Sequence, residues 1–312
     1  MKQKSLILTG PKNLIWETCS FSPLKKDEVS IKTIAGAISI GAELPQYNES
    51  DVTDSHPTYP RETGYESYGE VLEVGSNVTQ VKVGDHVLAF YGHKDLAIVK
   101  PNKIVAVPKQ LDYKYALLNT LSCDAAKGVL KLNPERVSRV LVTGGGTMGI
   151  LAVHFLKRYM NVSHVDMLES NKQRHVIPKR IGVDNVFSTK NEVSEHSYDY
   201  ALECSSSFAA FKTLLRSMKS EGKVSILSDG NKDLFHLTED FYTKELTIVG
   251  SSDGWNYHKH ADWFFKEYQS SSFLKDVFEH EVSQEDLIHC FDELHTNQIS
   301  PMKVLVHYNR TV

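Results

Sequence analysis

At 312 residues and 41% hydrophobic content, the chain is long and apolar enough to fill two separate cores, which argues against disorder. Its 35 basic and 39 acidic residues leave a net charge of -4 with no basic block, so neither a nucleic acid nor an anionic membrane is implied as a partner.

The N-terminal MKQKSLILTGPKN holds only the short apolar run Leu6, Ile7 and Leu8 before Gly10 and Pro11, too short for a signal-peptide core or a membrane span, and a cytoplasmic location is expected. Over the next hundred residues, β-rich runs alternate with turn signals: VSIKTIAGAISIG, YGEVLEVGSNVTQVKVGDHVLAFYG and LAIVKPNKIVAVP. These predict a compact, largely antiparallel β domain. After Pro108, LDYKYALLNTLSCDAAKGVLKL has helical spacing and marks a domain boundary. From Arg139 the chain repeats strand then helix: RVLVTGGG before TMGILAVHFLKRYM, SHVDMLE before a shorter helix, DYALECS before FAAFKTLLRSMK, then GKVSILSDG and ELTIVGSS. Continuous apolar strands between amphipathic helices predict a doubly wound parallel sheet ending near Ser252. Pro178 lies inside the helix expected after Glu169, which it should kink or shorten. The remainder, from Asp253, carries helical stretches at HADWFFKEYQ and SQEDLIHCFDELH and the strand MKVLVHY, and is expected to pack back on the first domain. Cys19, Cys123, Cys204 and Cys290 show no C-x-x-C pair and read as reduced thiols.

Gly144, Gly146 and Gly149 form G-x-G-x-x-G between the strand Val140-Leu141-Val142 and a helix. In that context the glycines permit a tight turn, a close approach of backbone to pyrophosphate and close packing of helix on strand, while the helix N-terminus stabilises phosphate charge. Thr147 and Met148 join them as cofactor-binding candidates. Glu169 ends the next strand, 25 residues beyond Gly144, where a carboxylate accepts hydrogen bonds from ribose hydroxyls and repels a 2′-phosphate. NAD is therefore favoured over NADP, with Lys172 and Arg174 close enough to moderate the preference. Asp166 competes for the same role from inside the strand, and Ser170 follows Glu169 as a further contact. Cys204, Ser205, Ser206, Ser251 and Ser252 stand at carboxyl ends of later strands, where they either line the nicotinamide or its ribose or serve as ordinary strand caps.

The segment GYESYGEVLEVGSNVTQVKVGDHV resembles the "GHE-x-x-G-x-V-x-x-V-G" stretch of the medium-chain dehydrogenase/reductase (alcohol dehydrogenase-like) family. With VSIKTIAGAISIGAE, the GGGTMG turn, YDYALECSS and ELTIVGS, the resemblance covers nearly the whole chain. It implies an α/β fold with a GroES-like catalytic domain over 1–118 and 253–312 and a Rossmann dinucleotide-binding domain over 119–252. It also implies a homodimer through sheet edges of the nucleotide domain, and places Lys303 near the pyrophosphate, with a surface lysine as the alternative. IAGAISIGAELP and FYGHKDLAIV are most similar to a small branch that includes bacteriochlorophyllide-type dehydrogenases. Where that branch has Thr this chain has Ala42, so a hydroxyl relay is not carried over.

In the zinc enzymes of the family a Cys, a His and a second Cys hold the catalytic metal, and the matching positions here are Ser39, Tyr65 and Asn119. A hydroxyl, a phenol and an amide do not replace two thiolates and an imidazole. The structural zinc lobe is also missing, because FYGHKDLAIVKPNK runs through its place. No zinc is expected. Oxygen charge developing during hydride transfer then falls to hydrogen-bond donors or a general acid. Tyr65 either donates to the substrate oxygen, beside Ser39 and oriented by Glu43 or Glu66, or merely fills vacated space. His93 is a second proton donor candidate, or a surface-loop histidine. His258 and His260 read as a solvated helix start rather than a metal site, and Cys123 as a packing residue. The implied activity is NAD(H)-linked oxidation of a small-molecule alcohol or reduction of a ketone. The alternatives are an NADPH-dependent enoyl or quinone reductase and a dinucleotide-binding protein without turnover.

Overall fold

A computed structural model describes residues 2–20, 22–228 and 233–308. The chain folds as two compact units, one from residues 1–50, 54–118 and 261–312, the other from 51–53 and 119–260. The second unit thus continues beyond Ser252 to His260.

The first unit begins with β1 (Lys2–Gly10), β2 (Asn13–Ser20), β3 (Val29–Ile38), α1 (Ile40–Asn48), β4 (Arg61–Glu62), β5 (Glu66–Val74), β6 (His86–Ala89), β7 (Leu96–Val99), β8 (Ile104–Ala106) and α2 (Tyr113–Leu117). The second runs through α3 (Asn119–Leu132), β9 (Arg139–Thr143), α4 (Thr147–Arg158), β10 (His164–Leu168), α5 (Val176–Ile181), β11 (Asn185–Phe187), β12 (Tyr198–Glu203), α6 (Phe208–Ser217), β13 (Met218–Ile226), α7 (Glu239–Thr243), β14 (Thr247–Gly250) and the start of α8 (Tyr257–Phe264). The chain then returns to the first unit with α9 (Tyr268–Ser271), β15 (Phe278–Ser283), α10 (Leu287–His295) and β16 (Lys303–His307).

In the first unit β1 pairs antiparallel with β2 and β4, and a larger sheet runs β15-β16-β3-β5-β6-β8, with β7 also on β3. Only the β15–β16 pair in it is parallel, and β16 lies antiparallel to β3, so the C-terminal segment completes the sheet that the N-terminal segment begins. The run VSIKTIAGAI becomes β3 because nearly all its side chains are buried, as in a strand covered on both faces. Leu6, Leu8, Ile38, Tyr47, Phe291 and Val304 form one core of this unit.

The sheet of the second unit is parallel throughout in the order β11-β10-β9-β12-β13-β14, the chain adding strands to one side of β9 and then, from β12, to the other. Val140, Leu141 and Val142 of β9 are wholly buried, each burial being worth roughly 1.5–3 kcal/mol. Helix α6 buries Phe211, Leu214 and Leu215 at helical spacing against this sheet. Pro178 has the expected effect: after Glu169 there is a turn of 3-10 helix over Lys172–His175 and then only the six-residue α5, which ends at Gly182 with φ of 102°. Asp229 and Gly230, at the end of GKVSILSDG, lie outside the described residues.

Candidate active site

In the second unit the carboxyl ends of β9 and β12 flank the glycine loop. Gly144 adopts φ of 89°, a left-handed conformation, and donates its N–H to Leu168 O at 2.9 Å. A Cβ on Gly149 would lie 1.9 Å from Gly144 O, so α4 approaches the turn as closely as a glycine allows. Gly146 is the N-cap of α4, and a Cβ there would meet nothing within 4 Å. Space is therefore open beside the N-cap of this twelve-residue helix, where the N-terminal dipole end suits an anion. Thr147 is buried at the start of α4 and Met148 half-buried.

Glu169 follows β10 and is 8% exposed. Its Oε2 accepts from Gly145 N at 2.6 Å and its Oε1 from Asn171 N at 2.6 Å, so its charge is fixed at the glycine loop. Asp166 is engaged elsewhere: its Oδ1 accepts from Asn185, its Oδ2 accepts from the Tyr198 hydroxyl at 2.7 Å, and Arg139 lies 3.5 Å away. Ser170 is exposed.

The end of β12 is organised by Glu203, which the sequence reading did not single out. It is fully buried and accepts from Ser205 N at 2.7 Å, Thr143 Oγ1 at 3.3 Å, and the Ser205 and Ser228 hydroxyls. The Ser205 hydroxyl is thus directed at Glu203, and Ser206 takes φ of 56° in the turn that follows. Burial pushes the Cys204 thiol well up, which makes it a neutral packing group. Ser251 N donates to Ile226 O at 3.0 Å, while its buried hydroxyl has no protein partner. Ser252 O accepts from Lys127 Nζ at 2.7 Å. The glycine cradle, the carboxylate at the end of β10 and the orphaned Ser251 hydroxyl fit a nicotinamide dinucleotide.

Two histidine and cysteine expectations resolve on α3. Cys123 is fully buried and accepts hydrogen bonds from the backbone of Asn256 and Trp255, and burial pushes its thiol up to about 12. His260 is not part of a solvated helix start: it is fully buried, its Nε2 lies 2.8 Å from Ser122 Oγ, and its Nδ1 accepts from Trp255 Nε1 at 3.4 Å. His258 is exposed.

In the first unit Ser39 precedes α1, and its N–H donates to Glu43 Oε1 at 2.8 Å. Glu43 Oε2 lies 2.9 Å from His93 Nε2. His93 is therefore not a surface-loop residue; at 1% exposure it belongs to the core, because Glu43 satisfies the imidazole there. Glu66 and Lys303 form a second buried pair, Nζ donating to Oε1 at 2.7 Å while Glu66 Oε2 has no partner. Burial raises the Glu66 carboxyl above its ordinary range, and the Lys303 ammonium only partly offsets this. Lys303 is neither on the surface nor uncommitted, being 1% exposed with its ammonium on Glu66. Glu43 thus holds Ser39 through its backbone N–H and also faces His93, Glu66 faces Lys303, and Tyr65 is half-buried.

Zinc does not fit the matched positions. Asn119 is fully buried with both side-chain amide atoms lacking partners, and Ser39 and Tyr65 supply a hydroxyl and a phenol, not the thiolates or imidazoles a stable site needs. Among the described residues no group of three or more His, Cys, Asp or Glu is placed to hold a metal.

A β-rich unit completed by the C-terminal segment, together with a six-stranded parallel sheet bearing a glycine loop, is a fold the chain shares with alcohol dehydrogenase-like proteins. Residues 25–106 match the alcohol dehydrogenase GroES-like domain. An L-threonine 3-dehydrogenase of Chelativorans sp. (strain BNC1) is 24% identical over 293 residues, covering 78% of this chain and 84% of that protein. A putative zinc-binding dehydrogenase from Sinorhizobium meliloti 1021, bound to NADP, shares the fold with a TM-score of 0.82 at 18% identity, over 98% of this chain and 99% of that one. An alcohol dehydrogenase from Escherichia coli CFT073, complexed with NADH, does so with a TM-score of 0.80 at 18% identity, over 98% and 99%. Among the described residues no helix is long and apolar enough to cross a membrane.

Proposed function

We propose that the chain is an NAD(H)-dependent oxidoreductase that interconverts a small secondary alcohol and its ketone without catalytic zinc. The observation that carries the cofactor choice is Glu169, whose carboxylate is held on Gly145 N in the glycine loop, where it disfavours a 2′-phosphate. When bound, a nicotinamide dinucleotide would supply or accept the hydride. The chain's own part is to hold the pyrophosphate at the start of α4, orient the ribose through Glu169, and meet the charge on the substrate oxygen with a phenol and a hydroxyl. Those donors are Tyr65 and Ser39. Relatedness to an L-threonine 3-dehydrogenase makes small secondary alcohols the first class to screen.

Assembly as a homodimer and a cytoplasmic location complete the proposal. The place of β14 as the last strand of its sheet supports the former, and light scattering tests it.

Titration with NADH and NADPH, following nicotinamide fluorescence on protein assayed for metal, tests the cofactor reading. Tighter NADH binding to zinc-free protein is expected; tighter NADPH binding would favour enoyl or quinone reduction, and no binding would remove the oxidoreductase reading. For the donor, Tyr65→Phe is expected to lower kcat on the alcohol so identified by about 100-fold with little change in the NADH Kd. Near-normal turnover would assign Tyr65 to packing.

A further inference from the structure

Three segments of the first unit, far apart in sequence, converge on one buried carboxylate–imidazole contact. Glu43, 4% exposed, accepts from Ser39 N through Oε1 and meets His93 Nε2 through Oε2. His93 is also tied by its main chain, its N–H donating to Thr63 O at 2.7 Å and its carbonyl accepting from Leu6 N at 2.9 Å. Gly64 adopts φ of 77°, and a Cβ on it would lie 2.7 Å from the imidazole, so the Thr63–Tyr65 turn closes directly over the ring. Phe291 meets the ring edge-on at 6.3 Å, and the Tyr308 hydroxyl lies 3.5 Å from Nδ1. A carboxylate only accepts, so Nε2 carries the hydrogen toward Glu43.

We propose that Glu43 and His93 form a clasp that holds the Ser39 segment in register with the Thr63–Tyr65 turn, and that His93 is a positioning residue rather than a proton donor to substrate. This deepens the reading of Ser39 and Tyr65 as the substrate-oxygen donors and rests on it. Those two residues stand at positions matched to two zinc ligands, where a shared metal would itself tie the two segments together. Their side chains do not fit that ion, and the Glu43–His93 contact, together with the His93 N–H on Thr63 O and the packing of Gly64 against the ring, links the same two segments. It unites IAGAISIGAELP and FYGHKDLAIV, two stretches some fifty residues apart in sequence. The buried imidazole is enclosed by the turn, by Phe291 and by Glu43, an arrangement suited to holding backbone rather than passing a proton outward.

Hydrogen exchange read by mass spectrometry on peptides spanning 37–44 and 62–66 tests the clasp in the full chain. His93→Phe keeps a ring but removes the donor, and should speed exchange in both peptides by about tenfold, leaving β9 and α4 unchanged. His93→Gln restores an N–H donor with similar reach but cannot relay a proton. It should recover both the protection and the turnover of the alcohol that the substrate screen identifies. Unchanged exchange in His93→Phe would overturn the proposal, as would a His93→Gln protein that is protected but inactive, since His93 would then be the proton donor. Should His93→Phe fail to fold, Glu43→Met, which has similar length and removes both acceptor oxygens, carries the same exchange readout. A protein that turns over no alcohol would sink the proposed function separately, and the exchange comparison would still decide the clasp.

Discussion

Glu169 accepts hydrogen bonds through different oxygens from Gly145 and Asn171, so its negative charge is locked beside the glycine loop rather than swinging in solvent. Glu169→Gln removes the charge and keeps one acceptor oxygen, enough for Gly145 N but not also for Asn171 N, so it tests the charge together with the loss of one backbone contact. The expected result is a shift of the NADPH/NADH preference toward NADPH by roughly tenfold, read by fluorescence titration, with a small fall in melting temperature from the lost Asn171 contact. An unchanged preference would mean that the neighbouring Lys172 and Arg174 set it instead. Glu169 could be found in the sequence because strand, glycine motif and carboxylate follow one another along the chain. Glu203 could have been noticed as a carboxylate ending the apolar run YALE, but its partners at 143 and 228 are brought together only by the parallel pairing of β12 with β9 and β13. His93 and Lys303 were legible as residue types and illegible as buried ones, since Glu43 and Glu66 lie 50 and 237 residues away.

At the scale of the element, the strand–turn–helix from β9 to α4 allows structural and ligand-binding glycines to be told apart. Gly149→Ala would place a methyl 1.9 Å from Gly144 O, a main-chain atom that cannot move without shifting the turn. It should lower stability by about 1–3 kcal/mol and abolish dinucleotide binding. Gly146 has φ of -75° and open space around it, so Gly146→Ala should leave the melting temperature nearly unchanged yet weaken NADH binding by about tenfold or more. Equal affinity for NADH in Gly146→Ala and the parent would remove this cradle as the pyrophosphate site. Strand β9 was readable because burial on both faces of a parallel sheet demands a continuous apolar run, here Val140, Leu141 and Val142. Helix α5 shows the same logic in reverse, since Pro178 alone was enough to anticipate a short helix.

Across the whole molecule, the buried titratable groups give the two units opposite responses to acid. His154 on α4 and His260 on α8, both fully buried in the second unit, have their imidazoles pushed down to about 3 by desolvation. In the unfolded chain each would take up a proton near 6.5, so below that pH the unfolded state binds more protons and the second unit loses stability, the loss growing until the pH reaches about 3. In the first unit the Glu66 carboxyl is raised by burial, and its contribution has the other sign: it is largest below the unfolded pKa and declines as pH rises. Acid should therefore open the second unit first. Hydrogen exchange at pH 7 and at about pH 4.5 is expected to show protection falling earlier in β9, β12 and α4 than in β3 and β5. His260→Gln stays neutral throughout and keeps an N–H for Ser122 Oγ, so it should flatten the pH dependence of the second unit. If this variant loses protection as steeply as the parent, the acid sensitivity does not arise at His260. If β3 and β5 open first, the raised Glu66 carboxyl does not offset the other protonation events in its unit.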